Sequence, residues 1–297
     1  MEENYEIEGE IPDGRLSFSK IKTFGTCPHK FWLQYVEKAR GLVRIPMLLG
    51  KSFHAGQEHG LKEMIEKRTP STKEIEEVAV ENLKIDFKKE HGLDYTEFDN
   101  SKVVAKDDLK RMAGNSFDII SKTFKPISSE KQFDFKLDDN TDVRGRIDAI
   151  EDNEKGRGIT EFKTTTRKPP VLTTFDSQTT IYQYAEQGIK WIKKFFVIRH
   201  LTKNRDISIY IDWKKKDPQS LVDDILDSMK KVKDMIKGCS LNGYPKTNDL
   251  TICSWCQYRK GCRPEIFGKE DKIESIINRS LVFTTSERLK GEVKNGY

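Results

Sequence analysis

Arg144-Gly-Arg-Ile-Asp-Ala-Ile150, followed after a turn by Ile159-Thr-Glu-Phe-Lys-Thr164, decides how the rest of the chain is read. Both runs are short and carry spaced apolar residues, Ile147, Ala149 and Ile150 in the first and Ile159 and Phe162 in the second, and Asn153 to Gly156 between them supplies turn residues, so the two are expected as neighbouring strands. Successive side chains of a strand point to opposite faces. Ile147 and Ala149 then share one face and Asp148 takes the other, while Glu161 and Lys163 share a face and Phe162 turns into the core. Paired in this way, the strands bring Asp148, Glu161 and Lys163 onto one patch. Two carboxylates so close repel unless a cation holds them, and oxygen donors of this kind suit Mg²⁺ or Mn²⁺. Such an ion polarises a phosphodiester oxygen and lowers the pKa of bound water. An adjacent lysine can hold that water or stabilise charge developing on the phosphate. The backbone carbonyl of Phe162, between the two side chains, is a further oxygen donor.

A plainer reading competes with this one. An acid two places before a lysine is common in so charged a chain: Asp86, Asp108, Asp134, Asp212, Glu270 and Glu292 show it as well as Glu161. By spacing alone, the patch is equally a solvated strand face. Glu161 differs in its setting, a short apolar run with a polar Thr164-Thr165-Thr166 exit and an aspartate between Ile and Ala on the run before.

Outward from the pair, Lys131 to Leu137 alternates polar and apolar residues and ends at the turn Asp138-Asp139-Asn140, which completes a three-strand meander. A helix is expected from about 176 to 188, strands over 194–201 and 206–213, and a helix over 218–237. Upstream the chain reads as helical. Ser17 or Ser19 starts a helix carrying Ile21, Phe24, Phe31, Trp32, Leu33 and Tyr35 through the Cys27-Pro28 step; a segment over 47–67 holds His54; Ser71 with Glu74 makes a capping box for a helix to about Lys89; another helix spans 102–124. Helices before and after a strand cluster give an α/β layer on a mixed sheet. The expected division is a helical region over 1–125, a core over 126–238, a cysteine loop over 239–267 and a tail over 268–297.

Of the 297 residues, 35% are hydrophobic and 34% charged, as for a soluble protein with a heavily charged surface. No long uncharged apolar run suggests a membrane span, and the acidic N-terminus does not read as a secretory signal. The expected location is the cytoplasm, or a host's cytoplasm for a phage-encoded chain. A net charge of +5 permits a nucleic-acid partner without requiring one. The five cysteines are read first as metal ligands in a reducing compartment. Cys253, Cys256 and Cys262 fall within ten residues and leave one ligand position open, for which Cys27 and Cys239 are the candidates.

The run GRIDAI…ITEFKTT resembles the core of the PD-(D/E)XK nuclease superfamily, in its RecB/AddB-like branch. The resemblance implies a restriction-endonuclease-like fold, with a central mixed β-sheet flanked by helices. It also implies a divalent cation held by His54, Asp148, Glu161 and the Phe162 carbonyl, with Lys163 activating or orienting water. His59 lies close enough to be confused with His54. Gln178 and Tyr182, four apart on one helical face, match the branch's glutamine–tyrosine motif and imply DNA contact or support of the lysine. Glu130 lies at the start of the first strand, near the site. Leu16-Ser-Phe-Ser19…Cys27-Pro28-His-Lys-Phe31 resembles the branch's early cysteine motif, and so implies a 4Fe–4S cluster on Cys27, Cys253, Cys256 and Cys262, with Cys239 a spare thiol. Structural zinc on the same four thiolates is the competing centre.

The activity implied is Mg²⁺- or Mn²⁺-dependent hydrolysis of DNA, leaning to exonuclease action on single strands or duplex ends in recombination, repair or mobile-element DNA processing. A non-cleaving DNA-binding or scaffold subunit of the same fold is the alternative. No G-x-x-x-x-G-K-S/T pattern occurs, so any unwinding falls to a helicase or recombinase partner. Trp255, Tyr258, Arg259, Lys260 and Arg263 around the cysteines either meet DNA or pack locally. Lys190, Lys193 and Lys194 read as a solvated face.

Overall fold

The computed structural model describes residues 11–39, 41, 43–92, 95, 100–166, 177–201 and 206–267; the tail expected over 268–297 lies outside them. The meander is present. β2 (Pro126–Asp138), β3 (Thr141–Asn153) and β4 (Gly156–Thr165) follow one another antiparallel. β4 then pairs in parallel with β5 (Trp191–Arg199), and β6 (Ile207–Lys215) lies antiparallel to β5. A parallel neighbour needs a crossover, and α6 (Ser177–Ala185) lies in that connection. A two-residue strand, β1 (Arg15–Leu16), joins β3 in parallel at Asp142 and Val143; a strand so short has no periodicity to read. The result is the expected mixed sheet between helical layers.

One layer holds α3 (Ile45–Ile65), α4 (Thr72–His91) and α5 (Asn100–Thr123). Ser71 caps α4 by accepting the Glu74 N–H at 3.2 Å, and Gly92 at φ 70° ends it. Phe53, Ile75, Leu83, Phe87 and Phe117 of these helices close on Ala149, Phe162, Phe195 and Val197 of the sheet. The opposite layer holds α1 (Phe18–Thr26), α6 and α7 (Gln219–Asn242), with Phe24, Ile181, Ile225 and Met229 in its core. Among the described residues no helix is long and apolar enough to cross a membrane.

The α3 layer depends on a close approach. A Cβ on Gly60 would fall 2.3 Å from the Phe117 ring and 3.0 Å from Ile75. Gly60→Val is expected to destabilise the fold by about 1–3 kcal/mol through overpacking, read as a lower urea midpoint at unchanged m-value.

Two expectations need correction. The helix over residues 17–35 is broken: α1 stops at Thr26, Cys27 is extended, and α2 (Pro28–Phe31) restarts behind it. Proline disfavours the α region for the residue before it, and Cys27 instead caps α2, its Sγ accepting the Lys30 N–H at 3.4 Å. The lysine run is also not a solvated face. β5 begins at Trp191, which puts Lys193 and Lys194 inside a central strand. Lys193 pairs with the fully buried Glu151 at 2.6 Å and lies over the Phe124 ring, and Lys194 is 8% exposed. Only Lys190 of the three faces solvent.

Candidate active site

The sheet forks. β3 and β4 pair from Asn153↔Gly156 only as far as Ala149↔Thr160. Beyond that point β3 stays with β2, while β4 runs on beside β5 to Thr165↔Ile198. Strand edges facing the fork still carry polar backbone groups that need partners. Asp148 supplies one, its Oδ2 accepting the Phe162 N–H at 2.8 Å. The N–H and C=O of a strand residue leave by the same edge, so the Phe162 carbonyl also faces the fork. Ile147 and Ala149, expected on one face, enter different apolar clusters as β3 turns away from β4.

Glu161 is 3% exposed. One of its oxygens accepts from the Lys163 ammonium, and the other, Oε2, is buried with no hydrogen-bond partner. Lys163 Nζ also donates to Gln178 Oε1 at 2.8 Å, and Gln178 Nε2 donates to the Tyr182 hydroxyl at 2.6 Å. The glutamine–tyrosine pair on α6 therefore touches the lysine. α3 brings in His54, whose Nδ1 stands 3.6 Å from Asp148 Oδ1 and whose ring meets Phe162 edge-on. His59 is elsewhere, bonded to Glu74 at 2.9 Å.

Glu130, expected at the start of the first strand near the site, lies inside β2 and joins the site itself. The pairs Ser129↔Ala149 and Lys131↔Ile147 set it opposite Asp148. Its φ of 50° lies in the left-handed region, at a cost to a non-glycine residue of about 1–3 kcal/mol. Arg146 Nε holds its Oε2 at 2.5 Å. His54, Glu130 and Asp148 each offer a ligand atom within 4.8 Å of the others. This group differs from the expected set of His54, Asp148 and Glu161 in that Glu130, entering across the strand pair, stands in place of Glu161. Only the strand register could have revealed it.

Burial governs the charges. It pushes Glu161 up to about 7, with neighbouring Asp148 adding to the rise. Burial likewise pushes Asp148 up to about 7 against the Phe162 N–H, and Glu130 up to about 7 against Arg146. Burial pushes His54 down, which favours the neutral imidazole that ligates metals. Carboxylates raised in the folded state bind more protons there than when unfolded, so without a cation they oppose folding increasingly as pH rises from the ordinary carboxylate range through about 7. A divalent cation competes with those protons. Mn²⁺ is thus expected to raise the unfolding temperature much more at pH 8 than at pH 5.5; an equal rise at both would contradict this.

The cysteines form a second constellation. Cys27, Cys253, Cys256 and Cys262 all line one pocket of about 380 Å³, open mouth included, together with Lys30, Lys246, Arg259 and Arg263. Cys239 is not there; it packs on α7 against the apolar layer near Tyr244. The loop's aromatic and basic residues divide. Tyr258 is buried and donates to Ala39 O at 3.2 Å, and Arg259 and Arg263 donate to Ser254 O and Thr247 O. Trp255 is 64% exposed, with the Arg44 guanidinium 5.3 Å from its ring.

A family model described as the PD-(D/E)XK nuclease superfamily matches residues 15–263. A solved structure titled "Crystal structure of SSO0001" is similar at 11% identity and a TM-score of 0.39, over 85% of this chain and 87% of that one, a likeness too loose to build on. No curated protein matches the chain.

Proposed function

The chain belongs to the PD-(D/E)XK nuclease superfamily, and from that premise we propose that it is a RecB-like DNA exonuclease working in recombination, repair or mobile-element DNA processing. The observation that carries the site assignment is the buried, unpartnered Oε2 of Glu161 beside Asp148 and Lys163 at the fork. A buried charge without a partner is costly, and a hard divalent cation is the partner that this donor set fits. Asp148, Glu161, His54 and the Phe162 carbonyl would hold Mg²⁺ or Mn²⁺, with Glu130 within reach. Bound there, the cation supplies Lewis-acid polarisation of the phosphodiester.

The chain's own groups do the rest. Lys163, held between Glu161 and Gln178, is placed to orient the attacking water and to stabilise charge on the phosphate. Phe53 and Phe162 back the site with apolar surface. Tyr182 keeps its proton, because burial raises its pKa, and its hydroxyl oxygen supports Gln178 by accepting from the amide Nε2. The substrate is taken to be single-stranded DNA or duplex ends. With one end of a labelled strand blocked, loss of Mn²⁺-dependent cleavage supports an exonuclease; internal cuts at full rate would make it an endonuclease.

The four cysteines are proposed to hold a structural 4Fe–4S cluster. Four thiols meet in one pocket lined by four cationic side chains, which suits an anionic cluster. Structural zinc on the same four thiolates remains the competing centre. Protein purified under anaerobic conditions is expected to be brown and to contain iron; a colourless protein with one zinc per chain would contradict the cluster.

A further inference from the structure

We propose that Asp217 is a positioning residue that sets Lys163 for the reaction by holding α6 from behind. This rests on reading Lys163 as the catalytic lysine. Gln178 and Tyr182, four residues apart, lie on one face of α6, and Gln178 accepts from Lys163. At about 100° per residue, Thr180 lies on the far side of the helix from Gln178, with Gln183 one turn on from Thr180.

That far side meets Asp217, at the junction of β6 and α7. Asp217 Oδ2 accepts from Thr180 Oγ1 at 2.8 Å, and its Oδ1 accepts from Lys214 Nζ at 2.5 Å. Its main chain pairs reciprocally with the Gln183 amide: the Asp217 N–H donates to Oε1 at 2.6 Å, and Nε2 donates to the Asp217 carbonyl at 2.9 Å. Asp217 is 6% exposed, and Lys214 offsets its charge. One buried residue thus satisfies two side chains on the back of α6 and fixes the helix against a strand end. Because a charged acceptor makes stronger, more directional bonds than a neutral one, Asp217 fixes the rotation of α6 about its axis. Rotation is what decides whether Gln178 reaches Lys163.

The test is steady-state cleavage of labelled single-stranded DNA with Mn²⁺ by the full chain, comparing wild type, Asp217→Ala, Gln178→Ala and the double variant. Each single change is expected to lower kcat roughly tenfold to a hundredfold, with KM and Mn²⁺ affinity unchanged. The double variant should fall within about twofold of Gln178→Ala, because both changes cut the same route. Thr180→Val, nearly isosteric, should lose kcat in the same direction and serves if Asp217→Ala fails to fold. Losses that multiply in the double variant, or wild-type kcat in both Asp217→Ala and Thr180→Val, would overturn the proposal. If Gln178→Ala keeps full kcat, the reading of the Lys163–Gln178 contact fails first and takes the proposal with it.

Discussion

Glu161→Gln is expected to remove cleavage by at least about a thousandfold and yet, without a cation at pH 8, to make the fold more stable. The two effects have one cause. Glu161 is buried, its pKa is pushed up to about 7, and one oxygen has no partner. Ionised at pH 8, it opposes folding by an amount on the order of a few kcal/mol. Gln keeps the shape and removes the charge, so unfolding in EDTA should need more urea than in the wild type. The same change removes a cation ligand and weakens the anchor of Lys163. Added Mn²⁺ should then stabilise the variant far less than the wild type. A variant that is less stable in EDTA would mean that Glu161 is held by its ion pair and not by an absent cation.

Cys27→Ser is expected to have the second large effect, loss of the proposed cluster together with a fall in stability of several kcal/mol, as when a structural metal site is emptied. Through the proposed cluster, Cys27 would tie the α1–α2 break to a loop more than two hundred residues later. Smaller contacts join the same segments: the His29 N–H donates to Pro245 O at 3.0 Å, and Phe31 stacks on Tyr244 at 6.0 Å. The variant should therefore keep a folded sheet while α1 and α2 loosen. Cys239→Ser, outside the pocket, should retain its iron. Iron content and unfolding temperature of the two serine variants separate the roles; equal loss in both would contradict the ligand set.

Much of this was legible in the sequence because its local signals agree. The short runs 143–150 and 158–163, with turn residues between, mark the strands that carry Asp148, Glu161 and Lys163. The i, i+4 spacing of Gln178 and Tyr182 puts both on one helical face, and that face meets Lys163 through Gln178. Glu130 was not legible as a donor, since its place depends on cross-strand register and on a φ of 50°. Lys193 and Lys194 misled for the opposite reason: a run of lysines reads as solvent-facing, but the strand starts earlier and a buried glutamate receives Lys193. The Cys27-Pro28 step is visible as a residue pair, but Ile21, Phe24, Phe31 and Tyr35 keep a helical spacing across it, which masks the break. Asp217 shows in the sequence only as an acid before a proline; its value lies in four hydrogen bonds to three residues of α6 and β6 that topology brings together.

The most direct test is release of labelled nucleotides from single- and double-stranded DNA by cluster-intact protein, with Mn²⁺ and with EDTA, beside Lys163→Ala. The expected result is Mn²⁺-dependent cleavage by the wild type, abolished by EDTA and reduced at least about a thousandfold in Lys163→Ala. Cleavage that survives Lys163→Ala, or a cluster-intact wild type that cuts neither substrate, would contradict the assignment of the forked sheet as the catalytic centre.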